Sequence, residues 1–419
     1  MGFAQNYFFR HTFLLPRITE PLSGLLRYIV VIPSYLEQDL ISTLISLKQA
    51  DKPKGYVEIL IIINFSESDS DDDKKRSIEQ HLYFREWCKD NSESTIKFIC
   101  ILAGNLPKKH AGAGLARKIG MDLALKRFDQ INRPEGLILS LDADTQVKNN
   151  YFTAIVEEID SGNQFGGCII KFEHILEGDK YSEKVYKAVI RYELHVRYYR
   201  NILHYIGFPF AWYTIGSCFG IRARVYARHG GMNRKKAGED FYFLHKLFPH
   251  EHFVNVNQTC VYPSPRPSLR VPFGTGPVIY KLINSADLNL LTYHPQAFYD
   301  LGKLFSAIDT LYSGDKEKIG KIVSGLSNTL KEFLFMNSFD QKLVEIQKNT
   351  AAPESFFKRF FLWFDGFRVV KYLNFVHRSH YKKIPVQQAA SDFLMRMNKS
   401  AFVGNERELL ESFRKLDSQ

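Results

Sequence analysis

Paired cysteines, long apolar runs and the familiar nucleotide loops are all missing from this chain. Its five cysteines, Cys88, Cys100, Cys168, Cys218 and Cys260, are scattered. An odd count without zinc or redox spacing argues against a disulfide scaffold and fits a reducing compartment. No uninterrupted apolar run approaches the roughly 18 residues of a membrane span. The start, Met1-Gly2-Phe3-Ala4-Gln5-Asn6, has no basic patch leading into an apolar stretch, so a signal peptide is not expected. Neither a Walker A loop nor a GxGxxG dinucleotide fingerprint occurs. Helix-turn-helix, RNA-recognition and zinc-finger signatures are also missing, so no specific nucleic acid is expected as a partner. The default that remains is a soluble cytoplasmic chain.

What is present is ordinary in bulk and distinctive in arrangement. The 419 residues are 45% hydrophobic and 24% charged, the balance of a soluble globular protein with a sizeable core. A formal charge of +11 suits anionic partners, including nucleotide phosphates and membrane surfaces. Strands and helices alternate from Arg27 onward. Arg27–Pro33, Val57–Ile63, Ile96–Leu102 and Gly136–Leu141 read as buried strands. Glu37–Ala50, Ser77–Asp90 and about Gly114–Phe128 read as the helices between them. That order predicts an α/β fold with a mostly parallel sheet covered on both faces, whose ligands bind at the carboxyl ends of the strands. Beyond, Gly167–Phe172 and Ile215–Ile221 read as strands and Lys180–Tyr205 as a long helix. Helical spacing dominates from Tyr280 onward. The expected divisions are an N-terminal arm (1–26), an α/β domain (27–278) and a C-terminal helical region (279–419).

Four segments carry chemistry. Asp142-Ala143-Asp144 closes the fourth strand, placing two carboxylates at a sheet edge where they must be solvated, paired or metal-bound. Hard oxygen ligands of this kind suit Mg²⁺ or Mn²⁺. Lys108–Arg117, with Gly112 and Gly114 at a helix entry, offers backbone N–H groups and cations to a diphosphate, although an ordinary basic turn reads equally well. Glu239-Asp240 opens a helix, where acids complement the dipole or supply a general base. Tyr262–Arg270 is a proline-rich basic loop whose Arg266 and Arg270 have the shape for phosphate contact, or for a plain linker. The acidic stretch Glu67–Asp73 reads as a solvated loop. Asn64, at the tip of the second strand, is placed to meet a base edge.

Taken together these segments resemble the family 2 glycosyltransferases of GT-A fold. Val30-Val31-Ile32-Pro33-Ser34-Tyr35-Leu36-Glu37 looks like the family's opening strand and turn. Gly112–Gly120 is similar to its glycine-led helix entry, and Leu139–Asp144 to its Asp-X-Asp metal motif. Ile215–Arg222, Gly230-Gly231-Met232 and Glu239-Asp240 are similar to its acceptor-side block. The chain departs from the pattern at Asn64, where members usually carry Asp, and it lacks the Gln-x-x-Arg-Trp motif of processive membrane synthases.

The resemblance implies an inverting transfer of a sugar from a nucleotide-sugar, a UDP-sugar favoured, to an acceptor hydroxyl on a glycan or lipid-linked molecule in bacterial-type surface polysaccharide synthesis. By the same resemblance Asp144 binds Mn²⁺ or Mg²⁺ across the donor diphosphate, and Asp142 holds the ribose or the metal's water shell. Asp240 is the base, with Glu239 orienting it or the acceptor. Glu37 lies near the base or ribose and Arg117 near the base or diphosphate, and Pro33, Tyr35 and Asn64 are further donor-binding residues. Arg266 and Arg270 are added as diphosphate clamps on a closing loop.

The competing class is a basic nucleic-acid- or membrane-surface-binding protein on an inactive domain of the same fold. For the membrane, residues 351–383 carry seven Lys/Arg against Glu354 and Asp365, interleaved with Phe356, Phe357, Phe360, Phe361, Trp363, Phe364 and Phe367. Such a stripe suits peripheral contact on the inner membrane face, but core packing is the preferred reading.

Overall fold

A computed structural model describes residues 2–418 except 12–14, 162–163, 236–237, 273, 399–401 and 403. The chain divides into two units, Met1–Ile175 with Thr214–Pro277, and Leu176–Tyr213 with Val278–Gln419.

The first unit is built on one eight-stranded sheet. Its strands are β1 (Leu26–Ser34), β2 (Tyr56–Ser66), β3 (Ile96–Leu106), β4 (Leu137–Ser140), β5 (Gln146–Val147), β6 (Phe165–Phe172), β7 (Phe219–Arg222) and β8 (His252–Tyr262), in the order β3-β2-β1-β4-β7-β6-β8-β5. The pairs β3/β2, β2/β1 and β1/β4 are parallel, as is β6/β8, while β7 runs antiparallel to both β4 and β6. The α/β architecture and C-terminal helical region expected from the sequence are what the chain adopts. β1 and β2 are buried nearly end to end because helices cover both faces of a parallel sheet. Leaving β1, the chain builds β2 and β3 on one side and returns to lay β4 on the other. The seam between β1 and β4 is therefore the topological switch point, where such sheets bind ligands.

Local chemistry sets this seam. The β1/β4 ladder ends at Val31↔Ser140, so Pro33 lies past the point where β4 would need its missing N–H. The helix Ala113–Gln130 lies close over β1 and β2 at Gly120, where a Cβ would come within 2.3 Å of Val31 Cγ1. The N-terminal arm carries a short helix, Gln5–His11, which the sequence did not suggest. Tyr7 fastens it, donating to buried Asp122 at 2.5 Å while Lys118 donates to the Tyr7 hydroxyl at 3.0 Å.

Three expectations are corrected here. The acidic stretch is only partly loop: Asp71, Asp72 and Asp73 form the first turn of the helix Asp71–Asn91, capped by Ser70, because acids at a helix N-terminus complement its dipole. The strand expected at Ile215–Ile221 is shorter and later, Phe219–Arg222. Strands β5 and β8 were not anticipated, since β8 (HFVNVNQTCVY) is half polar and β5 spans two residues.

The second unit is helical. The helix Glu183–Tyr205, read from the sequence as part of the α/β domain, belongs to it. One apolar cluster fills its core, including Tyr198, Phe298, Phe333, Phe356, Phe360, Phe361, Phe364 and Phe393. A buried Glu193 carboxylate accepts from both Arg197 and Arg414, fastening the last helix, Glu406–Leu416. No described helix is long and apolar enough to cross a membrane.

Candidate functional site

Glu37 follows β1, and Asp142 and Asp144 follow β4, so all three carboxylates leave the sheet at the switch point. Glu37 is buried, and its two oxygens accept from Arg266 at 2.7 and 2.6 Å, a bidentate fork. Arg270 adds a third contact at 3.1 Å and also donates to the carbonyls of Tyr35 and Leu36. Arg266 reaches across to Asp144 at 3.3 Å. The loop Tyr262–Arg270 is therefore held against the seam by its own arginines, from a distance of more than two hundred residues in sequence.

Arg117 occupies the centre. Its side chain is 3% exposed, and its guanidinium donates to Asp142 Oδ1 at 2.5 Å and to Glu239 Oε1. Asp240, next to Glu239 at the start of the helix Glu239–Leu247, accepts from the Phe241 backbone N–H at 2.7 Å. Glu239 is buried and Asp240 half-buried. Gly216 fits between the groups: a Cβ there would lie 2.8 Å from Arg117 Nη2 and 3.3 Å from Asp240 Oδ2.

The structure thus brings Glu37, Arg266, Arg270 and Asp144 together, and separately links Asp142, Arg117 and Glu239, with Asp240 beside them. Asn64 is 3% exposed and donates to the Ser34 carbonyl at 2.8 Å, so its amide braces β1 instead of standing open for a base edge. Pro33 is buried within β1, while Tyr35 is half-buried. Burial raises the Tyr35 pKa, with Asp69 and Asp73 adding to the effect. Sequence reasoning gave Gly216 no role of its own, and did not find the bridge that Arg117 makes. The glycine entered only as part of the Ile215–Arg222 stretch, which carries no sign of what its backbone approaches.

Electrostatically the site is short of positive charge. Among the described residues, Glu37, Asp142, Asp144 and Glu239 pair with Arg117, Arg266 and Arg270, and Asp240 stands beside them. Burial, then Asp142 and Glu37, push Asp144 up to about 7 despite Arg266. Burial, then Glu239, push Asp240 up to about 7, against the pull of Arg117. Among the described residues no group of three or more His, Cys, Asp or Glu side chains is placed to hold a metal by itself. One or two carboxylates are nevertheless the usual protein share for Mg²⁺ held mainly by substrate phosphates. The oxygen donors of Asp142 and Asp144, with a single arginine, Arg266, on Asp144, fit such an ion.

Comparisons with known proteins agree in kind. Residues 137–272 match the family model described as Glycosyl transferase family group 2. No curated protein matches the chain. Among solved structures, S. aureus TarS residues 1–349 in complex with UDP-GlcNAc is 13% identical, with a TM-score of 0.40, over 74% of this chain and 86% of that one. The same fragment with UDP is 14% identical, with a TM-score of 0.37, over 74% and 78%. S. aureus TarS itself is 13% identical, with a TM-score of 0.38, over 74% of this chain and 51% of that one. The stretch similar to the Glycosyl transferase family group 2 model contains Asp142, Asp144, Glu239, Asp240, Arg266 and Arg270.

Proposed function

We propose that this protein transfers a sugar from a nucleotide-sugar, with inversion, to an acceptor hydroxyl. The observation that carries the reading is the pairing of the Asp142/Asp144 carboxylates at the β1/β4 switch point with a second, half-exposed carboxylate, Asp240, on the neighbouring helix. The first marks a diphosphate-and-cation position; the second is a base whose pKa has been moved to where it can accept a proton near neutrality.

In this mechanism Asp240 takes the proton of the acceptor hydroxyl. The oxygen attacks the anomeric carbon from the face opposite the nucleotide, a new carbon–oxygen bond forms, and the bond to the diphosphate oxygen breaks. Inversion follows from that single displacement. Glu239 does not compete as base, because it is buried and accepts from Arg117. Asp144, helped by Asp142, would hold Mn²⁺ or Mg²⁺. When bound, the ion neutralises charge building on the departing diphosphate. Arg266 and Arg270 stand beside Asp144 and Glu37, placed to exchange part of their carboxylate contacts for donor phosphates. Tyr35 and Glu37 border the base and ribose side.

A panel of nucleotide-sugars, UDP-sugars first, assayed with Mn²⁺ or Mg²⁺ for release of nucleoside diphosphate, tests this reading. Wild type should turn over at least one donor, and Asp144→Ala and Asp240→Asn should not. If no donor is bound or consumed, and metal leaves thermal stability unchanged, the transferase reading fails. A surface-polysaccharide acceptor belongs to the same proposal, and glycan or lipid-linked hydroxyls are the acceptors to try.

A further inference from the structure

Arg117 was expected beside the donor, yet the structure gives it different work. Both terminal nitrogens of its guanidinium are engaged by carboxylates of the protein, and the side chain is 3% exposed. Among the described residues its Nε has no partner, and the two carboxylate contacts are what its terminal nitrogens make. What it joins is informative. Asp142 belongs to the donor side, at the end of β4, and Glu239 to the acceptor side, at the start of the helix Glu239–Leu247.

The body of that helix is held by buried Phe243, Leu244 and Leu247 and by Lys246 donating to the His229 and Gly231 carbonyls, while its first turn has no side-chain cap. Its N-cap is Gly238, in a left-handed conformation (φ 68°) with no side-chain cap bond. Among the described residues, the local tether is Asn233 donating to the Glu239 carbonyl at 3.0 Å. Arg117 itself is rigidly seated in the first turns of Ala113–Gln130, a helix packed on β1 and β2. Gly216 lies beside both groups, so that a Cβ there would meet the Arg117 guanidinium at 2.8 Å and the Asp240 carboxylate at 3.3 Å.

We propose that Arg117 is a positioning residue: its buried fork ties Asp142 to Glu239 and so fixes where the adjacent Asp240 carboxylate stands relative to the Asp142-Ala143-Asp144 turn. The inference rests on the transferase reading for its kinetic consequence, but not for its geometry. A planar guanidinium can bridge two carboxylates at once, and an ammonium cannot hold the same spacing. A reacting group displaced by about 1 Å loses on the order of 100-fold in rate.

The test compares wild type with Arg117→Lys and with Arg117→Met/Glu239→Gln, a double variant that removes the fork without leaving Glu239 charged and unpaired. It uses whichever of UDP or GDP the wild type binds and the matching sugar donor. Positioning requires kcat to fall by roughly 10- to 100-fold in both variants, with nucleotide affinity unchanged. A kcat within about twofold of wild type, or a loss confined to donor affinity, overturns it. Should Arg117→Lys fail to fold by circular dichroism, the double variant decides.

Crystal structures of the variants separate this inference from the reading beneath it. If wild type consumes no nucleotide-sugar, the transferase reading falls, and Asp240 displaced from the Asp142-Ala143-Asp144 turn still supports the fork. Asp240 unmoved in either variant overturns the fork whatever the activity.

Discussion

Two carboxylates with shifted pKa values define the chemistry at the scale of single residues. In the proposed reaction Asp240 must be ionised to accept a proton, and its pKa is pushed up to about 7 by burial and by Glu239. Activity therefore rises with pH through about 7 and falls below it; the measurement is kcat/KM against pH for a donor that turns over. Asp240→Asn removes the proton acceptor but keeps its shape, and should lower kcat by about 100- to 10,000-fold. Asp144 makes a separate prediction about stability. Its folded pKa is also about 7, against an ordinary value of 3.8. Between those values the folded protein holds a proton that the unfolded chain has lost, so stability declines as pH rises through this window. At pH 8 Asp144→Asn should be more stable than wild type, by on the order of 2–4 kcal/mol at most. Mn²⁺ should raise the melting temperature of wild type and not of the variant. A wild type already stabilised at pH 8 without metal, relative to Asp144→Asn, would contradict the assignment.

At the scale of elements, the helix Pro353–Trp363 bears on two readings of one aromatic, basic segment. Phe356, Phe360 and Phe361 are buried on one side, with Phe364 just after the helix, while Glu354, Lys358 and Arg359 are exposed. The part of the stripe packed into a core is not free to meet lipid, while Phe357 and Leu362 stay exposed. Phe360→Ala should cost about 3–5 kcal/mol by denaturant unfolding, and leave binding to anionic vesicles unchanged. Sequence spacing could identify this stripe but not its partner, since an apolar helical face looks the same whether lipid or protein covers it. The loop Tyr262–Arg270 is the opposite case. Its prolines and arginines were legible, but its target, Glu37, lies too far away in sequence for any local pattern to reveal.

At the scale of the whole molecule, the charge excess of +11 matters for association more than for fold. Binding to random duplex DNA is expected to be weak and to fall steeply between about 50 and 200 mM salt, as nonspecific phosphate contact does. Asp144→Ala should leave it unchanged in a filter-binding or anisotropy titration. Sequence-selective binding would instead revive the nucleic-acid reading.

The sequence by itself determined the alternation of strands and helices from β1 to β4, and the acidic turn after β4. Both are local: runs of buried apolar residues set the strands, and chain order puts the turn directly behind the last of them. It also determined the aromatic helical region, through spacing alone. Tertiary structure decided what each charge meets. Asn64 turned inward to β1 because Ser34 lies across the ladder, and Arg117 closed on Asp142 and Glu239 because β4 and a distant helix meet over its own helix. Burial is also a tertiary property, and without it neither Asp144 nor Asp240 would titrate near neutrality. The pattern of residues placed carboxylates at strand and helix ends; only the packing around them turned those carboxylates into a site.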